Sequence, residues 1–135
     1  MTAARIFIVH DDPAFSEEVR SSLEAAGHSV AAFNDPMVAL DALEDRRIEL
    51  LITRANFGPG KLNGIALVRM LRLKNPDVRV IFTAIPEHEG HAEGLGEFLA
   101  APVRADDVVA MAERLLQSPS ENQTLARFRQ PLDER

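Results

Sequence analysis

The chain contains no cysteine. This excludes a disulfide scaffold, a thiolate-ligated zinc site and a thiol nucleophile, and it suits a reducing compartment. No apolar run approaches the roughly 20 residues that a bilayer crossing needs, and Ile6-Phe7-Ile8-Val9 is too short for the core of a signal peptide. These absences lead to the expectation of a soluble, cytoplasmic protein. There is no basic block either: 15 Lys+Arg are scattered against 21 Asp+Glu, for a formal charge of -6. An acidic surface without a basic stripe opposes phosphate backbones, so neither nucleic acid nor membrane is an expected partner. Two narrower absences bear on chemistry. No Asp or Glu lies between Glu49 and Asp77, and no Lys follows Lys74.

What is present is an alternation of short apolar runs and helical patterns within 135 residues, enough for one domain with its own core. Apolar runs recur at Ile6–Val9, Val30–Phe33, Ile48–Thr53, Val78–Thr83 and Phe98–Ala100. Strands separated by helices predict a parallel sheet covered on both faces. The first helix is the best marked: Asp12 caps it, Pro13 fits its first turn, Phe15, Val19, Leu23 and Ala26 form a stripe, and Gly27 ends it. Asp35-Pro36 opens a second helix with Ala39, Leu40 and Leu43 inward, and Arg46-Arg47 are expected to meet its negative end. A third runs from about Asn63 to Lys74 with Ile65, Val68 and Leu71 inward, and stops before Asn75-Pro76. The last, about Ala105 to Gln117, buries Val108, Met111, Ala112 and Leu115. Between the fourth and fifth strands Pro86-Glu87-His88-Glu89-Gly90-His91 and Gly94, Gly96 support only a short or mobile helix. Residues 118–135 read as a tail, disordered or carrying a short helix with Leu125, Phe128 and Leu132 on one side.

Over about 1–117 this order resembles the response-regulator receiver (CheY-like) domain of two-component signalling. Ile6-Phe7-Ile8-Val9-His10-Asp11-Asp12-Pro13 resembles the family's first strand, ending in acids before a Pro-started helix. Ile48-Glu49-Leu50-Leu51-Ile52-Thr53-Arg54 resembles the third strand that runs up to the phosphoacceptor, and Leu62-Asn63-Gly64-Ile65 the exit of the following loop. Val80-Ile81-Phe82-Thr83-Ala84 is similar to the fourth strand with its switch hydroxyl, and Phe98-Leu99-Ala100-Ala101-Pro102 to the fifth strand's aromatic-to-Lys-Pro ending. The resemblance implies a single-domain, doubly wound, flavodoxin-like α/β fold. Its five-stranded parallel sheet would have the order 2-1-3-4-5, with the site at the carboxyl ends of strands one, three and five.

It also implies a chemistry that this chain departs from. The family uses an Asp to take a phosphoryl group from a histidine kinase, acids to hold Mg²⁺, a Lys to pair with the acyl phosphate and a Ser/Thr to read it. A dianionic group in transfer needs a nucleophile, a divalent cation and fixed positive charge. Here Arg54 stands at the acceptor position, Ala101 at the Lys position and His10 at the first of two Mg²⁺-binding acids, while Asp11 and Thr83 match and Phe98 retains the aromatic that goes with Thr83. Because acids are missing from the whole stretch after Glu49 and Lys from everything after Lys74, no small shift of alignment restores either group. The loop Arg54–Gly64 is two residues longer than usual for the family.

Arg54 either pairs with Asp11, supplying fixed positive charge in place of metal and Lys, or extends into solvent. His10 is a structural imidazole or a ligand with Asp11, the weak candidate for Mg²⁺; otherwise no cofactor is expected. His88 and His91 have helix-compatible metal spacing but read as a polar turn. Asp12 is read as a cap, and Thr83 and Phe98, switch-like by the resemblance, have the plainer alternatives of satisfying backbone and filling core. Gly58-Pro59-Gly60 is a turn, too poor in hydroxyls for a phosphate cradle. The resulting expectation is a stand-alone, non-phosphorylatable receiver that is not an enzyme and acts through protein–protein contact. Its expected partner is a histidine kinase, response regulator or output protein, or a second copy through the weak helix, last strand and last helix. Two alternatives are a conventional phosphorelay receiver with a non-standard acceptor and a small α/β ligand-binding protein. The latter would need an anion loop where His10-Asp11-Asp12-Pro13 presents carboxylates.

Overall fold

The computed structural model describes residues 3–43, 46–84 and 94–117. Its strands are β1 (Arg5–Val9), β2 (Ser29–Phe33), β3 (Leu50–Arg54), β4 (Arg79–Ala84) and β5 (Glu97–Ala100). Its helices are α1 (Pro13–Ala25), α2 (Pro36–Leu43), α3 (Gly64–Lys74) and α4 (Ala105–Leu116). The strands form one parallel sheet in the order β2-β1-β3-β4-β5. The central strands β1, β3 and β4 are the continuous apolar runs of the sequence and are almost wholly buried, whereas the edge strands β2 and β5 are only half-buried.

Alternation of side chains sorts the core onto two faces. Phe7, Val9, Leu51, Val80 and Phe82 meet α2 and α3 through Ala39, Leu43, Leu67, Val68 and Leu71. Ile6, Ile8, Leu50, Ile52 and Ile81 meet α1 and α4 through Val19, Leu23, Val108 and Ala112. Each large side chain fully buried in these layers contributes about 1.5–3 kcal/mol.

The helix signals act as their chemistry requires. Asp12 Oδ1 accepts from the amides of Ala14 (3.1 Å) and Phe15 (3.3 Å), with Pro13 in the first turn. Gly27, at φ 100°, turns the chain after α1. Asn63 Oδ1 caps α3 through the amide of Ala66 at 2.7 Å. Phe15 packs, partly buried, against the layer of Val19 and Leu23 as its stripe requires, and Ser16 is buried in the same first turn, which the apolar pattern does not signal. Arg46 and Arg47 lie exposed just past the described end of α2, where the Arg46 amide donates to the Leu43 carbonyl at 3.3 Å. β3 begins at Leu50 rather than Ile48, although Ile48 is buried below it. The short helix expected before β5, with His88 and His91, lies largely outside the described residues, as does 118–135. Among the described residues no helix is long and apolar enough to cross a membrane.

Candidate functional site at the carboxyl edge

The two-residue period that fills the α1/α4 face with Leu50, Ile52 and Ile81 continues to the strand ends. There it places Arg54 and Thr83 side by side in register on that same face. His10 follows Ile8 on β1, and Ala101 follows Leu99 beside β4, where its amide donates to the Ala84 carbonyl at 2.7 Å. The result is a row of His10, Arg54, Thr83 and Ala101 along the carboxyl edge, with Asp11 and Asp12 above it.

Arg54 reaches Asp11. Its Nη1 donates to Oδ1 at 2.8 Å and to Oδ2 at 3.0 Å, with the two side chains 36% and 46% exposed. Burial pushes the Asp11 carboxyl up, but the hydrogen bonds and charge of Arg54 outweigh it and leave the carboxyl below its ordinary value. Asp12 does not join this pair through Oδ1, which caps α1.

His10 packs its ring against Phe15, with centroids 4.6 Å apart, and its Nδ1 accepts the Asp12 amide at 3.1 Å. That bond assigns the ring proton to Nε2. Burial first, and the charge of Arg54 second, hold the imidazole below its ordinary value against the opposing pull of Asp11 and Asp12. The 3.6 Å approach of Nδ1 to Asp11 is therefore not an ion pair of the neutral ring.

Thr83 is 2% exposed, and its Oγ1 has no hydrogen-bond partner among the described residues. Phe98 pairs in register with Phe82, and Thr83 with Leu99. Consecutive residues of β4 point to opposite faces, so Phe98 packs toward the α2/α3 core while Thr83 faces the Arg54 row. Ala101 is exposed and precedes a cis peptide bond to Pro102.

Features of the loop after β3 were not singled out from the sequence. Gly64 lies so close to the Arg54 carbonyl that a Cβ there would collide with it, and its amide donates to Ala55 O at 3.0 Å. Lys61 Nζ bridges to Asp35 Oδ2 at 2.9 Å, tying the long loop to the start of α2. The Asn63-Gly64 dipeptide was the available signal for the first feature; nothing local signals the second. Among the described residues no group of three His, Cys, Asp or Glu side chains converges as a metal-holding cluster.

A five-stranded parallel sheet in this order, with a polar row at its carboxyl ends, defines a doubly wound, flavodoxin-like α/β domain. The response regulator receiver domain family matches residues 6–113, and the chain belongs to it. It is 28% identical over 123 residues to the nitrogen assimilation regulatory protein NtrX of Azorhizobium caulinodans, covering 84% of this chain and 26% of that protein. It is 27% identical over 119 residues to the response regulator MprA of Mycobacterium bovis, covering 84% of this chain and 51% of that one. The chain thus spans about a quarter to a half of the length of these curated relatives. Among solved structures, the receiver domain of NtrX from Brucella abortus superposes with a TM-score of 0.71 at 25% identity, covering 84% of this chain and 98% of that one. The chemotaxis response regulator CheY4 of Vibrio cholerae superposes at 0.73 and 21% identity, over 84% and 99%. Receiver domains are signalling modules that interact with histidine kinases and other signalling proteins.

Proposed function

We propose that this receiver domain does not accept a phosphoryl group and acts by protein–protein contact. The observation that carries the reading is Arg54 at the end of β3, bonded through one nitrogen to both oxygens of Asp11. A guanidinium cannot serve as the nucleophile, and it places a fixed cation beside the acid that would otherwise help to hold Mg²⁺. The remaining groups do not fit a divalent cation either. Asp12 Oδ1 is engaged at the α1 N-terminus, and the lone pair of His10 Nδ1 takes the Asp12 amide. Ala101 offers no ammonium to pair with an acyl phosphate.

Signalling without that chemistry leaves surface recognition. The β5 and α4 face, with Glu97 and Arg114 in an exposed pair at 3.8 Å, is the surface we assign to a signalling partner or a second copy. The reading concerns this domain, whether it works alone or within a longer protein. Its test is incubation with acetyl phosphate and Mg²⁺ followed by intact-mass measurement. No added phosphoryl mass is expected, and a stable adduct on Asp11 or Asp12 would overturn the reading in favour of a relay receiver with a non-standard acceptor.

A further inference from the structure

A cavity of about 200 Å³ opens at the carboxyl edge, and Arg54, Thr83, His10 and Ala101 all border it. Three observations there remain unexplained by packing. The Thr83 hydroxyl is buried without a partner among the described residues, although a buried polar group normally has one. Arg54 uses only Nη1 on Asp11, so Nε and Nη2, the other side of its donor fork, have no partner among the described residues. The His10 tautomer set by the Asp12 amide leaves an Nε2–H donor on a residue that borders the cavity. Ala101 keeps the space open where a larger side chain would fill it.

Hydroxyl, guanidinium and imidazole N–H are all donors, and a planar guanidinium matches the paired oxygens of a carboxylate or phosphate. We propose that this cavity reversibly binds a small oxyanion, a carboxylate or phosphate group, between Arg54 and Thr83, in competition with Asp11. The proposal rests on the reading that Arg54 has replaced the phosphoacceptor; the ligand is held without a covalent bond.

Competition follows from the charges at the site: Asp12 and Arg54 border the cavity, and Asp11 holds Arg54 from beside it. Asp11 and Asp12 together outweigh Arg54, although the positive end of α1 offsets part of Asp12. An anion is therefore accommodated best when Arg54 releases Asp11. That release is easy, because an ion pair with both members more than a third exposed contributes little. Binding would free the Asp11 carboxylate, so occupancy of the cavity changes the charge presented at the domain's edge.

The test titrates the ¹⁵N-labelled full chain with inorganic phosphate and, separately, with acetate, at ionic strength held constant with chloride, and follows amide shifts. Saturable shifts at Arg54, Thr83 and neighbouring amides are expected. Affinity should fall roughly tenfold or more in Arg54→Gln and about fivefold in Thr83→Val, which keeps the shape and removes only the hydroxyl. In Asp11→Asn it should rise about threefold, as the competitor is removed. A purely structural Arg54 or Thr83 would not produce this opposite response of Asp11→Asn. A preference for phosphate over acetate, or the reverse, identifies which oxyanion the site takes. Shifts that never saturate, or saturable binding unchanged in both Arg54→Gln and Thr83→Val, would overturn the proposal. Those results, with no phosphoryl mass gained from acetyl phosphate, leave the non-phosphorylatable reading standing. A gain of that mass overturns the reading itself and the proposal with it.

Discussion

At the amino edge of the sheet the imidazole of His28, 2% exposed, has a partner on each nitrogen: Nδ1 accepts the Ala4 amide at 3.0 Å, and Nε2 donates to Glu113 at 2.7 Å. At the carboxyl edge, among the described residues, His10 is bonded at one nitrogen only, Thr83 has a buried hydroxyl without a partner, and Arg54 rests on Asp11 in an exposed pair. Both edges contain a cavity of similar size, about 240 and 200 Å³. In the amino-edge cavity, however, Arg79 already donates to the Leu115 carbonyl at 2.7 Å and Glu49 already accepts the Arg5 amide. The contrast separates polar groups that hold the fold together from polar groups left available. Satisfied buried polar groups stabilise one arrangement, and unsatisfied ones mark places where a ligand or partner completes the set.

Replacing His28 by Ala breaks this contrast most severely. It removes two hydrogen bonds linking β1, β2 and α4 and leaves the Ala4 amide without its partner, at an expected cost of about 2–3 kcal/mol in the urea midpoint. Gly64→Ala should come close to this, at about 1–3 kcal/mol, because the new methyl group meets the backbone of Arg54 and the loop must shift; the same midpoint measurement applies.

Arg54→Ala and Asp11→Ala are expected to cost less than about 1 kcal/mol each, with the double variant recovering part of the sum, since their pair is exposed. A much larger loss would show that the carboxyl edge is as structural as the amino edge. Acid should separate the groups further. The folded His10 has a depressed pKa, so below about pH 6.5 the unfolded chain takes up a proton that the folded chain refuses. Stability from His10 is thus present above that pH and declines as pH falls. Asp11 is depressed as well, so its contribution is present above about pH 4 and is lost only as pH falls through its lower folded value. Thermal midpoints from about pH 7.5 to 5 should decline less in His10→Gln than in the unmodified chain. The smallest effect belongs to Thr83→Val, which removes a buried hydroxyl without a partner and should be neutral or stabilising by up to about 1 kcal/mol.

The sheet was legible because β1, β3 and β4 are buried on both faces and so appear as unbroken apolar runs, with a polar residue at or next to the end of each: His10, Arg54 and Thr83. Asp12-Pro13 and Asn63-Gly64 marked two helix starts because capping is local. The charge pattern around Arg54 raised pairing with Asp11 as one of two expectations, and the structure places the two in contact. What was not legible depends on distance or register. His28 finds Glu113 across 85 positions, which no local pattern carries. The opposite facing of Phe98 and Thr83 follows from β4–β5 register, fixed only when the strands pair. Whether the Thr83 hydroxyl has a partner depends on side chains from separate strands and helices.

The account centres on a guanidinium standing where a metal and an acceptor carboxylate would otherwise meet, and a Mg²⁺ titration of the unmodified chain beside Arg54→Asp, followed by amide shifts, tests it most directly. The account predicts no saturable Mg²⁺ response in the unmodified chain and a saturable one in Arg54→Asp, where Asp11 gains an acidic neighbour in place of a cation. Saturable Mg²⁺ binding at Asp11 in the unmodified chain would contradict it.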